Sequence, residues 1–127
     1  MRKFVNESAE DYLEAILILS KRLPVVRSVD IANELGYKKS SVSIGMKNLR
    51  EKEYIEFSEQ GFILLTKTGL EIAEKVYERH QLLSGWLEKL GVPADIAEED
   101  ACKIEHVLSV ESFDAIKGFI LKTCNNK

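Results

Sequence analysis

Cys102, Glu105 and His106 stand at positions i, i+3 and i+4, a spacing that puts three side chains on one face of a helical turn. The chain's other histidine, His80, lies in a separate segment. Asp11 and Glu14, three apart, project from one side of a third. Thiolate, imidazole and carboxylate oxygen together suit a divalent transition metal. Each residue alone has a plainer role. Asp11 favours the dipole at a helix start, Glu14 and His80 can be solvated, Cys102 can be a small buried apolar group, and Glu105 can pair with a lysine. The triplet stands above these readings because the rarest donor types coincide on one face, and both histidines of the chain fall in the proposed set.

A second constellation is basic. From residue 38 to 52, Lys38, Lys39, Lys47, Arg50 and Lys52 are opposed by Glu51 alone, although the whole chain carries a net charge of −3. Ser40, Ser41 and Ser43 open the helix expected there. Their hydroxyls can reach base edges or phosphates in a major groove. Lys39, Lys47 and Arg50 can neutralise phosphates. A basic helix by itself is usually a solvated face, so the reading depends on the surrounding elements. From 94 to 105 the balance reverses: Asp95, Glu98, Glu99, Asp100 and Glu105 meet Lys103 alone.

The elements that would position these groups follow from periodicity and punctuation. Residues 9–21 read as a helix with Tyr12, Leu13, Ile16, Leu17 and Ser20 on one face and Ser8 as its cap. A helix over 29–35 is capped by Ser28 and stopped by Gly36. A third covers 39–52 and turns Val42, Met46 and Leu49 inward; Gly45 inside it has no firm account in the sequence, close approach to another backbone being one option. Tyr54–Phe57 and Phe62–Leu65 flank a four-residue turn containing Gly61, a β-hairpin signal. Thr66 caps a long helix over 67–90 that Gly91 and Pro93 end. Helices over 94–108 and, capped by Ser109, over 110–122 complete the chain, with a frayed tail at Asn125–Lys127. Helix, turn, basic helix and hairpin, in that order, make a winged helix-turn-helix.

Composition sets the bounds. The chain has 127 residues, 45% hydrophobic and 31% charged, which fits one domain or a small domain with a helical extension. No run approaches the ~20 apolar residues that cross a bilayer. Glu10, Asp11 and Glu14 interrupt the N-terminal segment, so it is no signal peptide. Cys102 and Cys124 lie on separate elements; with no disulfide framework to suggest secretion, the cytoplasm is the expected compartment. The chain contains no H-E-x-x-H, no Ser/His/Asp set and no Gly-rich phosphate loop. Enzymatic activity, including metal-assisted hydrolysis, is therefore not expected, and neither is a small-molecule substrate.

From Ser8 to about Phe119 the chain resembles the diphtheria toxin repressor and manganese transport regulator family of bacterial repressors. The resemblance is carried by Glu10-Asp11-Tyr12-Leu13-Glu14, Val29-Asp30-Ile31-Ala32, Ser40-Ser41-Val42-Ser43, Leu65-Thr66-Lys67-Thr68-Gly69, Arg79-His80 and Cys102 through Ser109. It implies a dimer built from the helices after the wing, and a metal that ties the first helix to those helices and so sets the spacing of two recognition helices. It implies Asp11, Glu14, His80, Glu105 and His106 as ligands of the manganese-type site. Cys102 departs toward the iron-type branch and Asp11 departs from that branch, so the ligand set is a hybrid and the implied cofactor is Mn(II) or Fe(II). Ser84 replaces a second-site carboxylate of the iron-type branch, and the chain stops before the extra domain of longer members. Ile44 holds a recognition-helix position that is polar in both branches, where it can touch a thymine methyl.

The expected architecture is mainly α with a small β-hairpin wing: residues 1–66 a winged helix-turn-helix for DNA, residues 67–127 a helical metal-binding and dimerisation domain. The expected function is metal-dependent repression through double-stranded operator DNA, without membrane association. A winged-helix regulator that answers a non-metal signal is the alternative. Ile96, Ile104, Leu108, Phe113, Ile116, Phe119 and Ile120 are more apolar residues than two short terminal helices can hide, which points to a homodimer.

Overall fold

The computed structural model describes residues 7–125, with side chains from 8 to 123. The expectations for the first six residues, for the end of the tail and for the Cys124 side chain lie outside this range. In chain order the elements are α1 (Glu7–Arg22), α2 (Ser28–Leu35), α3 (Lys39–Glu51), β1 (Ile55–Phe57), β2 (Ile63–Leu65), α4 (Lys67–Lys89), α5 (Ala94–Ile104) and α6 (Val110–Asn125). They form two compact units, Met1–Lys75 and Val76–Lys127, with the boundary inside α4. No described helix is long and apolar enough to cross a membrane.

The core of the first unit takes one face of α2 and of α3, whereas α1 is buried all round from Tyr12 to Leu17. Leu13 and Ile16 of α1, Ile31 of α2, Val42, Met46 and Leu49 of α3, and Ile55 and Ile63 of the strands are all buried. Ser20 does not join the apolar face of α1; it is exposed, and its Oγ donates to the Leu17 carbonyl at 2.7 Å. Two expected caps also differ. α1 begins at Glu7, which leaves Ser8 inside its first turn. α2 begins at Ser28 itself, with Arg27 at the cap position. There the Asp30 carboxylate, one turn into the helix, reaches back to accept the Arg27 backbone N–H at 2.9 Å. Gly36 closes α2 at φ 72°, donating its N–H to the Ala32 carbonyl.

The hairpin pairs antiparallel, Ile55 with Leu65, Glu56 with Leu64 and Phe57 with Ile63. Ser58 organises its turn: the Ser58 N–H donates to the Phe62 carbonyl at 2.9 Å, and the Phe62 N–H donates to Ser58 Oγ at 3.0 Å. The Ile63 N–H also donates to the Val26 carbonyl at 2.8 Å, which anchors the wing to the segment ahead of α2. Thr66 is the cap it was expected to be. Its Oγ1 accepts the Gly69 N–H at 3.1 Å and donates to the Glu53 carbonyl at 2.7 Å. At Gly69 the Tyr54 backbone lies where a Cβ would sit, so only glycine admits this crossing.

Gly45 has a comparable reason. A Cβ there would collide with the ring of Tyr12, so what comes close is a side chain of α1 and not another backbone. That ring also meets Tyr37 edge-on, with centroids 6.0 Å apart. One aromatic residue on α1 thus touches both the turn before α3 and the middle of α3.

In the second unit, Leu83, Ala101 and Phe113 form the buried centre, flanked by Leu82, Trp86, Ile104, Leu108 and Ile116. Ser109 caps α6 by accepting the Ser112 N–H at 3.0 Å. α6 runs on to Asn125, three residues past the expected end. α5 ends at Ile104, well short of the expected 108, which places Glu105 and His106 in the turn that follows it.

Candidate metal centre and nucleic-acid interface

Among the described residues, one group of three metal-ligating side chains converges: His80 from α4, Cys102 from α5 and Glu105 just beyond α5, with ligand atoms all within 4.8 Å of one another. Glu105 is 1% exposed, an unusual place for a carboxylate unless it has a partner. Its Oε1 lies 2.9 Å from His80 Nδ1. Cys102 Sγ lies 3.7 Å from the same nitrogen and is exposed. A carboxylate oxygen and a sulfur thus meet at one ring nitrogen, three donors of different softness in all. The hydrogen bonds to the Cys102 sulfur, first, and to the Glu105 carboxylate, second, push the His80 pKa up to about 10 against the opposing effect of burial. The other ring nitrogen, Nε2, faces Glu98 Oε1 at 4.0 Å.

His106 is buried in the same turn but lies outside the three-donor group. Asp11 and Glu14 belong to α1 in the first unit; Asp11 is half-buried and Glu14 is buried at 7% exposure.

A residue that the spacing did not single out as part of the site stands behind Glu105. Arg79 Nη1 donates to the carbonyls of Glu105 and Leu108, each at 2.9 Å. Its guanidinium lies 4.9 Å from the centre of the Phe113 ring. Both hydrogen-bond acceptors are backbone atoms, so no residue pattern could have announced the contact; only the position next to His80 hinted at it.

The basic helix presents its candidates outward. Lys39, Ser40, Ser41, Ser43, Ile44, Lys47 and Arg50 are all exposed, while Val42, Met46 and Leu49 face the core. Ile44, the apolar member of this face, is 63% exposed. Arg50 is partly engaged: its guanidinium lies 5.6 Å from the centre of the Phe57 ring on β1. It therefore also ties α3 to the wing.

Comparison with known proteins bears on both units. Residues 5–61 match the family model described as iron dependent repressor, N-terminal DNA binding domain. Residues 66–124 match the model described as iron dependent repressor, metal binding and dimerisation domain. An uncharacterised HTH-type transcriptional regulator of Methanocaldococcus jannaschii is 34% identical over 120 residues, covering 93% of this chain and 96% of that protein. The transcriptional regulator MntR of Escherichia coli is 35% identical over 117 residues, covering 92% and 76%. The solved structure of the manganese regulator SloR superposes with a TM-score of 0.80 at 29% identity, covering 94% of this chain and 54% of that one, so this chain spans about half the length of SloR. The chain belongs to the iron-dependent repressor family, whose members are metal-dependent, DNA-binding transcriptional repressors and not enzymes.

Proposed function

We propose that this chain represses transcription from double-stranded operator DNA as a homodimer loaded with Mn(II) or Fe(II). The observation that carries the reading is the convergence of His80, Cys102 and Glu105 within 4.8 Å, a donor set of imidazole, thiolate and buried carboxylate that fits a divalent transition metal. Residues 1–66 are assigned to DNA binding and 67–127 to metal binding and dimerisation. Asp11, Glu14 and His106 are assigned as further ligands on the strength of donor type, and for Glu14 and His106 also of burial. A bound metal would supply positive charge to these carboxylates and the cysteine sulfur.

The remaining steps belong to the chain's own residues. Lys39, Lys47 and Arg50 contact phosphates, Ser40, Ser41 and Ser43 bond to base edges or phosphates, and Ile44 meets a thymine methyl. Support comes from their shared exposed face on α3. The Tyr12 ring, between Asp11 and Glu14 in sequence, rests against that same helix at Gly45. The compartment is the cytoplasm, where such DNA lies, with no membrane or small-molecule partner.

The test is a selection from a random duplex library with the metal-loaded chain. Anisotropy titrations of the selected duplex with Mn(II), Fe(II), Co(II), Zn(II) and a chelator then follow. Tighter binding with Mn(II) or Fe(II) is expected. Equal binding under chelation would leave a winged-helix regulator of another signal.

A further inference from the structure

We propose that Arg79 is a positioning residue for the metal centre: its guanidinium clamps the turn after α5 to α4, and so holds the Glu105 carboxylate in register with His80. The inference rests on the metal reading above and extends it to a residue that need not touch the ion.

The geometry is specific. Arg79 and His80 are neighbours on α4. Glu105 is the residue at which α5 ends, and its N–H still donates to the Ala101 carbonyl at 2.9 Å. Beyond that point the carbonyls have no further helical turn to accept from, and orphaned carbonyls at a helix end need other donors. Arg79 Nη1 supplies one atom to two of them, Glu105 O and Leu108 O, each at 2.9 Å. A cation at a helix C-terminus is also favoured by the helix dipole. The flat face of the guanidinium lies 4.9 Å from the Phe113 ring centre, on the first turns of α6. The clamp therefore spans the whole connection: the end of α5, the last residue before the Ser109 cap and the side chain that α6 buries.

The consequence for the centre follows from the chain's connectivity. The Glu105 main chain is fixed by the clamp, and its side chain leaves from there to place Oε1 2.9 Å from His80 Nδ1. Two donors from separate elements are thus held by one side chain adjacent to the first and bonded to the backbone of the second. Groups that orient metal ligands without touching the ion typically change affinity 10–100-fold when removed. Lysine keeps the charge, but its nitrogen ends one bond short of the Nη1 position that bonds both carbonyls, and it carries no planar group to lie over the Phe113 ring. An electrostatic role would survive Arg79→Lys, whereas a positioning role would not.

The experiment measures Mn(II) binding directly, by the loss of the free-ion electron paramagnetic resonance signal, on full-length wild type, R79K and R79Q. Metal-free melting curves for each locate a temperature at which the chain is folded. At that temperature both variants should bind Mn(II) at least about tenfold more weakly than wild type. Should R79Q fail to fold, R79K carries the test alone. Wild-type affinity in a folded R79K would overturn the proposal, even if its melting temperature fell, because the clamp would then serve stability only. Failure of the wild type to take up Mn(II) or Fe(II) would instead overturn the metal reading and this inference with it.

Discussion

Cys102 is the softest donor of the cluster, and its sulfur sits 3.7 Å from His80 Nδ1. A thiolate leans toward Fe(II), Co(II) or Zn(II), while oxygen donors lean back toward Mn(II). Cys102→Glu should therefore shift selectivity toward Mn(II) and keep activation, read as the ratio of Mn(II) to Fe(II) concentrations at half-maximal DNA binding. An unchanged ratio would remove Cys102 from the ligand set. His80 carries the pH dependence. Its pKa of about 10 means that the metal-free histidine holds a proton at neutral pH, bonded to Cys102 and Glu105. A ligand must give that proton up, so Mn(II) uptake should release it and affinity should rise about tenfold per pH unit between pH 7 and 9. This window lies higher than the ordinary histidine range, near pH 6.5, would give. The sign for stability is opposite. A raised pKa stabilises the metal-free fold fully below 6.5, and that contribution is lost as pH rises through about 10. Proton release on Mn(II) addition, followed with a pH indicator in weak buffer, checks the first statement, and melting of the metal-free chain across the same range checks the second.

At the scale of elements, α3 has two faces with separate tests. Lys39→Ala or Lys47→Ala should weaken binding to every duplex alike and lower the slope of log affinity against log salt by about one each. Ser41→Ala or Ile44→Ala should change which duplex is preferred. If all four leave the salt titration and the preference as in the wild type, α3 does not read DNA. The buried face answers to Gly45. Alanine there gains about 1 kcal/mol of helix propensity, but its Cβ would meet the Tyr12 ring, and overpacking of that kind costs about 1–3 kcal/mol. Gly45→Ala should thus lower the melting temperature, and Tyr12→Leu in the same chain should recover part of the loss. Much of this was legible in sequence, because the order of elements, the Thr66 and Ser109 caps and the inward stripe of α3 depend on local spacing and turn chemistry. The end of α5 was not. Its periodicity runs on through Leu108, but the chain leaves the helix after Ile104, and Arg79 takes up carbonyls in the turn that follows. That tertiary contact is invisible in the spacing of Cys102, Glu105 and His106. The partner of Gly45 was equally hidden: another backbone was the option the sequence offered, and the Tyr12 ring is what approaches.

At the scale of the whole molecule, the second unit keeps apolar side chains exposed that a monomer gains nothing by displaying. Phe113 and Ile120 are buried, but Ile96, Val107, Val110, Phe119 and Leu121 are exposed, Phe119 at 64%. A two-fold contact through α5 and α6 would cover part of these side chains, and a dimer presents two α3 helices to two half-sites. Wild type should sediment as a dimer at micromolar concentration. Phe119→Glu should shift it toward monomer and weaken operator binding while leaving the metal-free circular dichroism spectrum unchanged. The central claim is that metal held at the His80 cluster controls DNA binding. Its most direct test is the affinity for the selected duplex with and without Mn(II), for the wild type and for His80→Ala. Wild type should bind tightly only with Mn(II), and His80→Ala should bind weakly in both conditions. Equal affinity in all four measurements would contradict the claim.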